Sequence, residues 1–358
     1  MKASEKYKII ICCILLFILS LLDMYGSTFM SSLFKNAFKR QIIFIIIGII
    51  SFLVIYKIDF KFLIKKSFYF YIFGIFTLIL VLFIGRRVNG AASWFKFGSI
   101  SIEPSEIFKP FYIIYLSKII VSSKKYTFIK ALILTLIPSI LIFLEPDTGV
   151  VIMYLVILSG LIINSNLKKR GLIISCGVLL ILVVFTLSIY YTNKHLFVSL
   201  FGSSMFYRIE RVLDYKNNTS YQLSKALIGI GSSGYFGHGL TSSKVYIPEA
   251  TTDFVYDLTI CNFGILGGVI TLIIFIYLLY NIYRLGLKEK NKYKKVMISG
   301  VFYLICYSVF EHILMNLGIT PITGITLPLL SYGGSSLVSI CMLIGLITKK
   351  TTHNSSYS

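Results

Sequence analysis

Apolar residues in this chain gather into long runs, not into the short alternations of half-buried strands. Ten such runs lie at about 9–26, 41–56, 67–84, 106–122, 128–144, 148–164, 171–191, 254–283, 296–317 and 335–348. Each approaches the length of helix that crosses roughly 30 Å of hydrocarbon. The pattern predicts an all-α polytopic membrane protein of ten helices, with residues 1–358 forming a single transmembrane domain. Pro146 between the fifth and sixth runs leaves room only for a tight turn. The eighth run is long enough to continue along the interface.

Between the runs, the polar segments differ in kind. The lysines and arginines concentrate before the first run, at 57–66, 118–130, 168–170 and 284–295, and after the last run. By the bias of basic residues toward the cytoplasm, these segments and both termini are expected inside. The segments 85–105, 192–253 and 318–334 then face outward. The largest, 192–253, is too long for a bare linker. Its stretch SYQLSKALIGIGSSG has the mixed apolar spacing of a helix lying on the membrane surface.

Composition narrows the class further. The chain is 56% hydrophobic and 14% charged, with a mean hydropathy of +0.84, far from a soluble domain. The net charge of +21 is accounted for by loops facing membrane lipids, so nucleic-acid binding is not expected. All six cysteines fall inside apolar runs, without metal-ligand spacing and without a pair placed to staple a loop. The first run is followed by LLDMYGS with no small-x-small cleavage site, and is read as a span.

Only 14 residues are acidic, yet Glu249 and Asp253 stand together in PEATTDF, at the outer mouth of the eighth run. Asp253 is placed either to cap the helix that follows or to act as a general base. Glu106 and Lys109, three apart, share a helix face and either pair or wall a polar cavity. Asp147 in EPDTG is a turn and cap residue on its own terms. Trp94, the single tryptophan, reads first as an interfacial anchor and second as a platform for a sugar. In GIGSSGYFGHG, turn glycines are the plainer explanation and a backbone nest for phosphate the sharper one.

Four stretches, NGAASWFKFGSISIEPSEIFKP, EPDTG, YQLSKALIGIGSSGYFGHGL through PEATTDF, and PITGITLPLLSYGGSS, together resemble the SEDS family of bacterial cell-wall polymerases, which includes RodA, FtsW and SpoVE. The resemblance implies a multi-pass protein of the bacterial cytoplasmic membrane, serving cell shape, division or sporulation. It further implies a glycosyltransferase that polymerises lipid II on the outer face, with a class B penicillin-binding protein as partner. The family's catalytic aspartate falls on Asp253. The departing diphosphate asks for cations, and Arg208 and Arg211 are candidates, though with Glu210 and Asp214 they equally form a self-paired helical face. Glu106, Lys109, Asp147, Trp94 and Glu249, with Ser331, Gly333 and Gly334 of the last motif, are expected to line the substrate cavity. No metal site is expected from protein ligands; a divalent cation would come with the substrate's phosphates.

The sequence departs from the family pattern in places. Cys261 and Asn262 stand where a pair of glutamates is usual, Glu103 and Glu145 where glutamine is common, and His238 where lysine is frequent. Asp257, four residues after Asp253, is expected to share its helix face and raise its pKa in place of the missing acids. Two other classes stay open: a lipid-carrier flippase and a non-catalytic scaffold for a transpeptidase.

Overall fold

A computed structural model describes residues 2–88, 91–98, 100–122, 126–145, 147–165, 167, 188–199, 206, 221–242 and 245–350. Among the described residues the numbered helices run in the order α1 (Lys2–Met30), α2 (Ala37–Lys57), α3 (Phe60–Ile84), α4 (Pro104–Ser122), α5 (Thr127–Leu144), α6 (Thr148–Ile163), α7 (Tyr221–Ser232), α8 (Val255–Lys288), α9 (Lys292–Asn316) and α10 (Gly334–Thr348). A 3-10 turn, Ser32–Phe34, joins α1 to α2. Among the described residues, six helices are long and apolar enough to cross a membrane, and α6 and α10 are shorter apolar ones. Nine of the apolar runs coincide with α1–α6 and α8–α10. The run at 171–191 lies almost wholly outside the described residues, as do parts of the 192–253 segment, Pro146 and the basic stretch 168–170.

The expectation of a wholly helical chain is corrected at 86–102. There β1 (Arg86–Val88), β2 (Ala91–Phe97) and β3 (Ile100–Ile102) form a three-stranded antiparallel sheet. Trp94 lies opposite Arg86, and Phe95, Lys96 and Phe97 pair with Ile102, Ser101 and Ile100. Aromatic residues in β2 and isoleucines in β3 suit a pleated surface, and Gly98 takes the left-handed conformation, φ 59°, at the turn between them.

The helix α4 explains how a membrane bundle carries ions. It packs against α3, α5, α6, α9 and α10, so protein rather than lipid surrounds it. Glu106 and Lys109 are buried there and form an ion pair at 2.5 Å. Pro110, inside the same helix, leaves the Glu106 carbonyl without its usual helical donor. The outward faces of α2, α3, α5 and α8 are apolar instead, with Ile50, Phe73, Ile140 and Ile273 exposed, as lipid contact requires.

One helix is broken. Gly264, inside α8, has φ 74° and ψ −172°, which frees main-chain groups on both sides. The glycine-rich segment after α7 fills the gap. His238 and Gly239 N–H donate to the carbonyls of Cys261 and Asn262 at 2.9 and 3.0 Å, while Ile265 and Leu266 N–H donate to Gly234 and Tyr235 at 3.0 and 3.3 Å. A Cβ on Gly264 would stand 2.2 Å from the Tyr235 oxygen, and one on Gly237 would stand 2.4 Å from the Gly264 nitrogen. Irregular backbone at this depth is tolerated because protein backbone satisfies it. The break is held from α1 as well. Thr259 Oγ1 and Asn262 Nδ2 donate to the two carboxylate oxygens of buried Asp23, at 2.7 and 2.9 Å.

Candidate active site

The turn that delivers Asp253 is built around Glu249, a non-glycine residue in the left-handed region with φ 52°. Its carbonyl accepts from Thr252 N and Phe254 N at 3.1 and 3.2 Å, and its carboxylate accepts from Thr252 Oγ1 at 3.1 Å. The N-cap of α8 is Phe254, with no side-chain cap bond. Asp253 therefore stands one residue before the cap, and the capping role open to it in the sequence is not the one it takes.

Its main chain is clamped instead. Asn316 Nδ2 donates to the Asp253 carbonyl at 2.8 Å, and Asn316 Oδ1 accepts from Asp257 N at 3.2 Å. Ser331 Oγ donates to the Thr252 carbonyl at 2.9 Å and accepts from Leu327 N at 2.8 Å. Tyr332 N donates to the Thr251 carbonyl at 2.8 Å. Residues 251–253 are thus sewn to α9 and to the loop before α10. The Asp253 carboxylate itself has no hydrogen-bond partner among the described residues. Burial, then the carboxylates of Glu249 and Asp147, push its pKa up to about 7. A carboxylate near neutrality with its lone pairs free is suited to take a proton.

Further acids gather around it. Asp147 caps α6, its Oδ1 accepting from Val150 N at 3.0 Å, and its charge reaches Asp253, Glu145 and Glu103. Glu145 ends α5 with both carboxylate oxygens buried and unpartnered by any hydrogen bond. Burial first and Asp147 second raise its pKa to about 8, with the Ser93 hydroxyl acting in the opposite direction. That same Ser93 Oγ donates to the Glu145 carbonyl at 3.3 Å. Glu103, at the entry to α4, is held well above the carboxylate range by burial, Glu106 and Asp147. Its N–H donates to Ser335 Oγ at 2.8 Å, and its Oε1 accepts from Ser105 Oγ at 2.7 Å. Neither Glu103 nor Glu145 is picked out by sequence as a site residue, although each sits two or three positions from one that is.

The structure thus brings Asp253, Glu249, Asp147, Glu106, Lys109 and Ser331 to one end of the bundle. Gly333 is the N-cap of α10 with extended backbone, φ 170°. Gly334 lies where a Cβ would meet the Phe44 ring at 3.0 Å, so both glycines serve the α10 entry. Trp94 is half-buried in the sheet, opposite Arg86. Arg208 and Arg211 lie outside the described residues. The glycine-rich segment is a plug for the break in α8, not a nest. Asp257 is buried with its carboxylate oxygens unpartnered by any hydrogen bond, but it is not among the groups acting on Asp253. Because α8 starts at Val255, Asp253 is not helical, and the spacing of four does not place the two on one face. No three of the described His, Cys, Asp or Glu side chains are grouped as metal ligands.

Residues 6–356 match the profile of a family described as "Cell cycle protein", which joins FtsW, RodA and SpoVE. The chain is 30% identical over 353 residues to a probable peptidoglycan glycosyltransferase FtsW of Francisella salina, covering 93% of this chain and 83% of that protein. It is 30% identical over 373 residues to stage V sporulation protein E of Bacillus subtilis, covering 97% and 96%. Among solved structures it is similar, with a TM-score of 0.79 and 23% identity over 96% of each chain, to one described under "Structural coordination of polymerization and crosslinking by a peptidoglycan synthase complex".

Proposed function

Because the chain belongs to the FtsW, RodA and SpoVE family, we propose that it is a peptidoglycan glycosyltransferase of the cytoplasmic membrane in which Asp253 is the general base. The acceptor sugar's hydroxyl attacks the anomeric carbon of a lipid II donor. Its proton passes to the Asp253 carboxylate as the new C–O bond forms. The bond from the anomeric carbon to phosphate breaks, and its electron pair leaves with the polyprenyl diphosphate. Ten spans with both termini cytoplasmic would set this chemistry on the outer face. A class B penicillin-binding protein fits as the partner that cross-links the product, since the similar solved chain belongs to a complex named for polymerization and crosslinking.

One observation carries the assignment. Asn316 and Ser331 fix the backbone around Asp253, while its carboxylate is left without a hydrogen-bond partner among the described residues and tuned near neutrality. A structural acid would show the reverse. Asn at this position keeps the size and loses the base, and no cap bond is forfeited. Purified Asp253→Asn in detergent with lipid II is expected to fold as the parent does and to lose roughly 10²–10⁴-fold in polymerisation rate. Parent-like glycan from that variant refutes the base. Glycan formed by the parent without a bilayer also separates polymerisation from transport and from scaffolding.

A further inference from the structure

The loop that steadies the Asp253 backbone is itself gripped from another side. At 327–331 it closes a tight turn, in which Leu330 N and Ser331 N donate to the Leu327 carbonyl at 3.2 and 3.0 Å. Leu329, buried in that turn, takes the left-handed conformation with φ 65°. A bulky side chain holds such a backbone only where the surroundings over-determine it. Toward Asp253, Ser331 Oγ and Tyr332 N donate to the Thr252 and Thr251 carbonyls. The remaining constraint comes from α1 and α2. Ser20 Oγ donates to the Leu330 carbonyl at 2.8 Å. Gln41 Nε2 donates to Ser20 Oγ at 2.9 Å and, over a longer 3.4 Å, to the Ser331 carbonyl. Phe44, three residues on and so on the same face of α2, sets its ring against Tyr332 with centroids 5.4 Å apart.

Ser20 and Gln41 are wholly buried, and their neighbours fix which way the amide points. The Ser20 proton is spent on Leu330, so its oxygen must accept from Gln41, and the Ser331 carbonyl also accepts. Both demand the amide nitrogen. That leaves Gln41 Oε1 buried with no hydrogen-bond partner among the described residues. As a stabilising device the arrangement is poor. Hydrogen bonds between membrane helices return little, and an orphaned buried acceptor costs about as much as a bond gives back. An apolar side chain of equal length would fill the space without that cost. It could not, however, hold Leu330 and Ser331 at a fixed height along α1 and α2.

Resting on the polymerase reading above, we infer that Gln41 and Ser20 are positioning residues for glycosyl transfer, acting on Asp253 through Leu330, Ser331 and the main chain of residues 251–252. Neither needs to touch the reacting atoms. They keep the strained turn at Leu329 in one place, and that turn presents the Ser331 hydroxyl to the Thr252 carbonyl, next to the base. A misplacement of about 1 Å at a reacting group costs up to about 100-fold in rate. Loosening the bracket therefore acts on the chemical step and not on substrate capture.

Steady-state lipid II polymerisation by the full-length protein in detergent, scaled to folded molecules, tests this. Gln41→Met keeps the length and loses the donor. It is expected to lower kcat about tenfold, with KM within about twofold of the parent and an unchanged Tm. Ser20→Ala is expected to fall likewise, and Ser20→Thr, which restores a hydroxyl, to recover most of the loss. Ser331→Ala lowers kcat by itself, and adding Gln41→Met to it should remove little more, since both act along one path. Ser67→Ala is the control: that hydroxyl is buried in α3 and donates to the Ile64 carbonyl of its own helix, so the parent rate should persist. Parent-like kcat in both Gln41→Met and Ser20→Ala overturns the proposal. So do losses that multiply when Gln41→Met and Ser331→Ala are combined, or a Gln41→Met defect confined to Tm and folded fraction. Should Gln41→Met fail to accumulate, the contrast between Ser20→Ala and Ser20→Thr decides. Failure of the base reading shows separately, as glycan made by Asp253→Asn.

Discussion

Two carboxylates meet the first turns of α8 and are treated in opposite ways. Asp23, reaching in from α1, accepts from Thr259 and Asn262 at both oxygens, and the adjoining break is closed by four main-chain hydrogen bonds from the glycine-rich segment. Asp253, at the helix mouth, has its backbone held on every side while its carboxylate has no hydrogen bond among the described residues. A buried acid with both oxygens occupied holds elements together and has no lone pair to spare. An acid whose main chain alone is fixed keeps its reactive atoms at one address and leaves them free for substrate.

That contrast breaks most sharply at Gly264. Adding a methyl there combines a left-handed backbone with a Cβ 2.2 Å from a main-chain oxygen. Gly264→Ala is expected to cost roughly 3–5 kcal/mol, read as lost accumulation and a lower Tm in detergent. Gly231→Ala, where a Cβ meets open space, is the matched control and should accumulate normally. Next comes the ion pair in α4. Glu106→Gln leaves Lys109 buried without its counter-charge and should cost about 3 kcal/mol. Adding Lys109→Met to it should return much of that. The smallest of the three sharpens the comparison itself. Asp23→Asn keeps one acceptor and loses the other, for about 1–3 kcal/mol. The Tm should fall while polymerisation per folded molecule holds, the inverse of Asp253→Asn. An Asp23→Asn enzyme that is stable but inactive would erase the distinction.

The sequence displayed some of this and concealed the rest for physical reasons. Apolar runs announce membrane helices because the lipid-facing surface must be apolar whatever the packing, and α1–α6 and α8–α10 fall on such runs. The sheet at 86–102 is hidden because its strands are three to seven residues long, and so little alternation is hard to tell from loop. The role of the glycine-rich segment depends on a partner some thirty residues away, so local spacing could not separate a plug from a nest. Asn262, which reads as a lost acid, is a donor to Asp23; only the packing of α1 on α8 reveals that. Asp253, Glu249, Asp147, Glu106 and Lys109 stand out as candidates because ionisable residues at helix ends are scarce in an apolar chain.

The central claim is that the Asp253 carboxylate takes the proton, and its ionisation is the quantity to measure. The active form is the unprotonated one and the pKa is raised to about 7, so activity must fall as pH drops through that value. The decisive experiment is the pH dependence of kcat/KM for lipid II polymerisation by the parent and by Glu249→Gln. The account predicts a rise through about pH 7 to a plateau in the parent, and the same limb displaced to lower pH once the neighbouring carboxylate is neutralised. A parent profile that is flat from about pH 5.5 to about pH 8.5, or a limb that Glu249→Gln does not move, would contradict it.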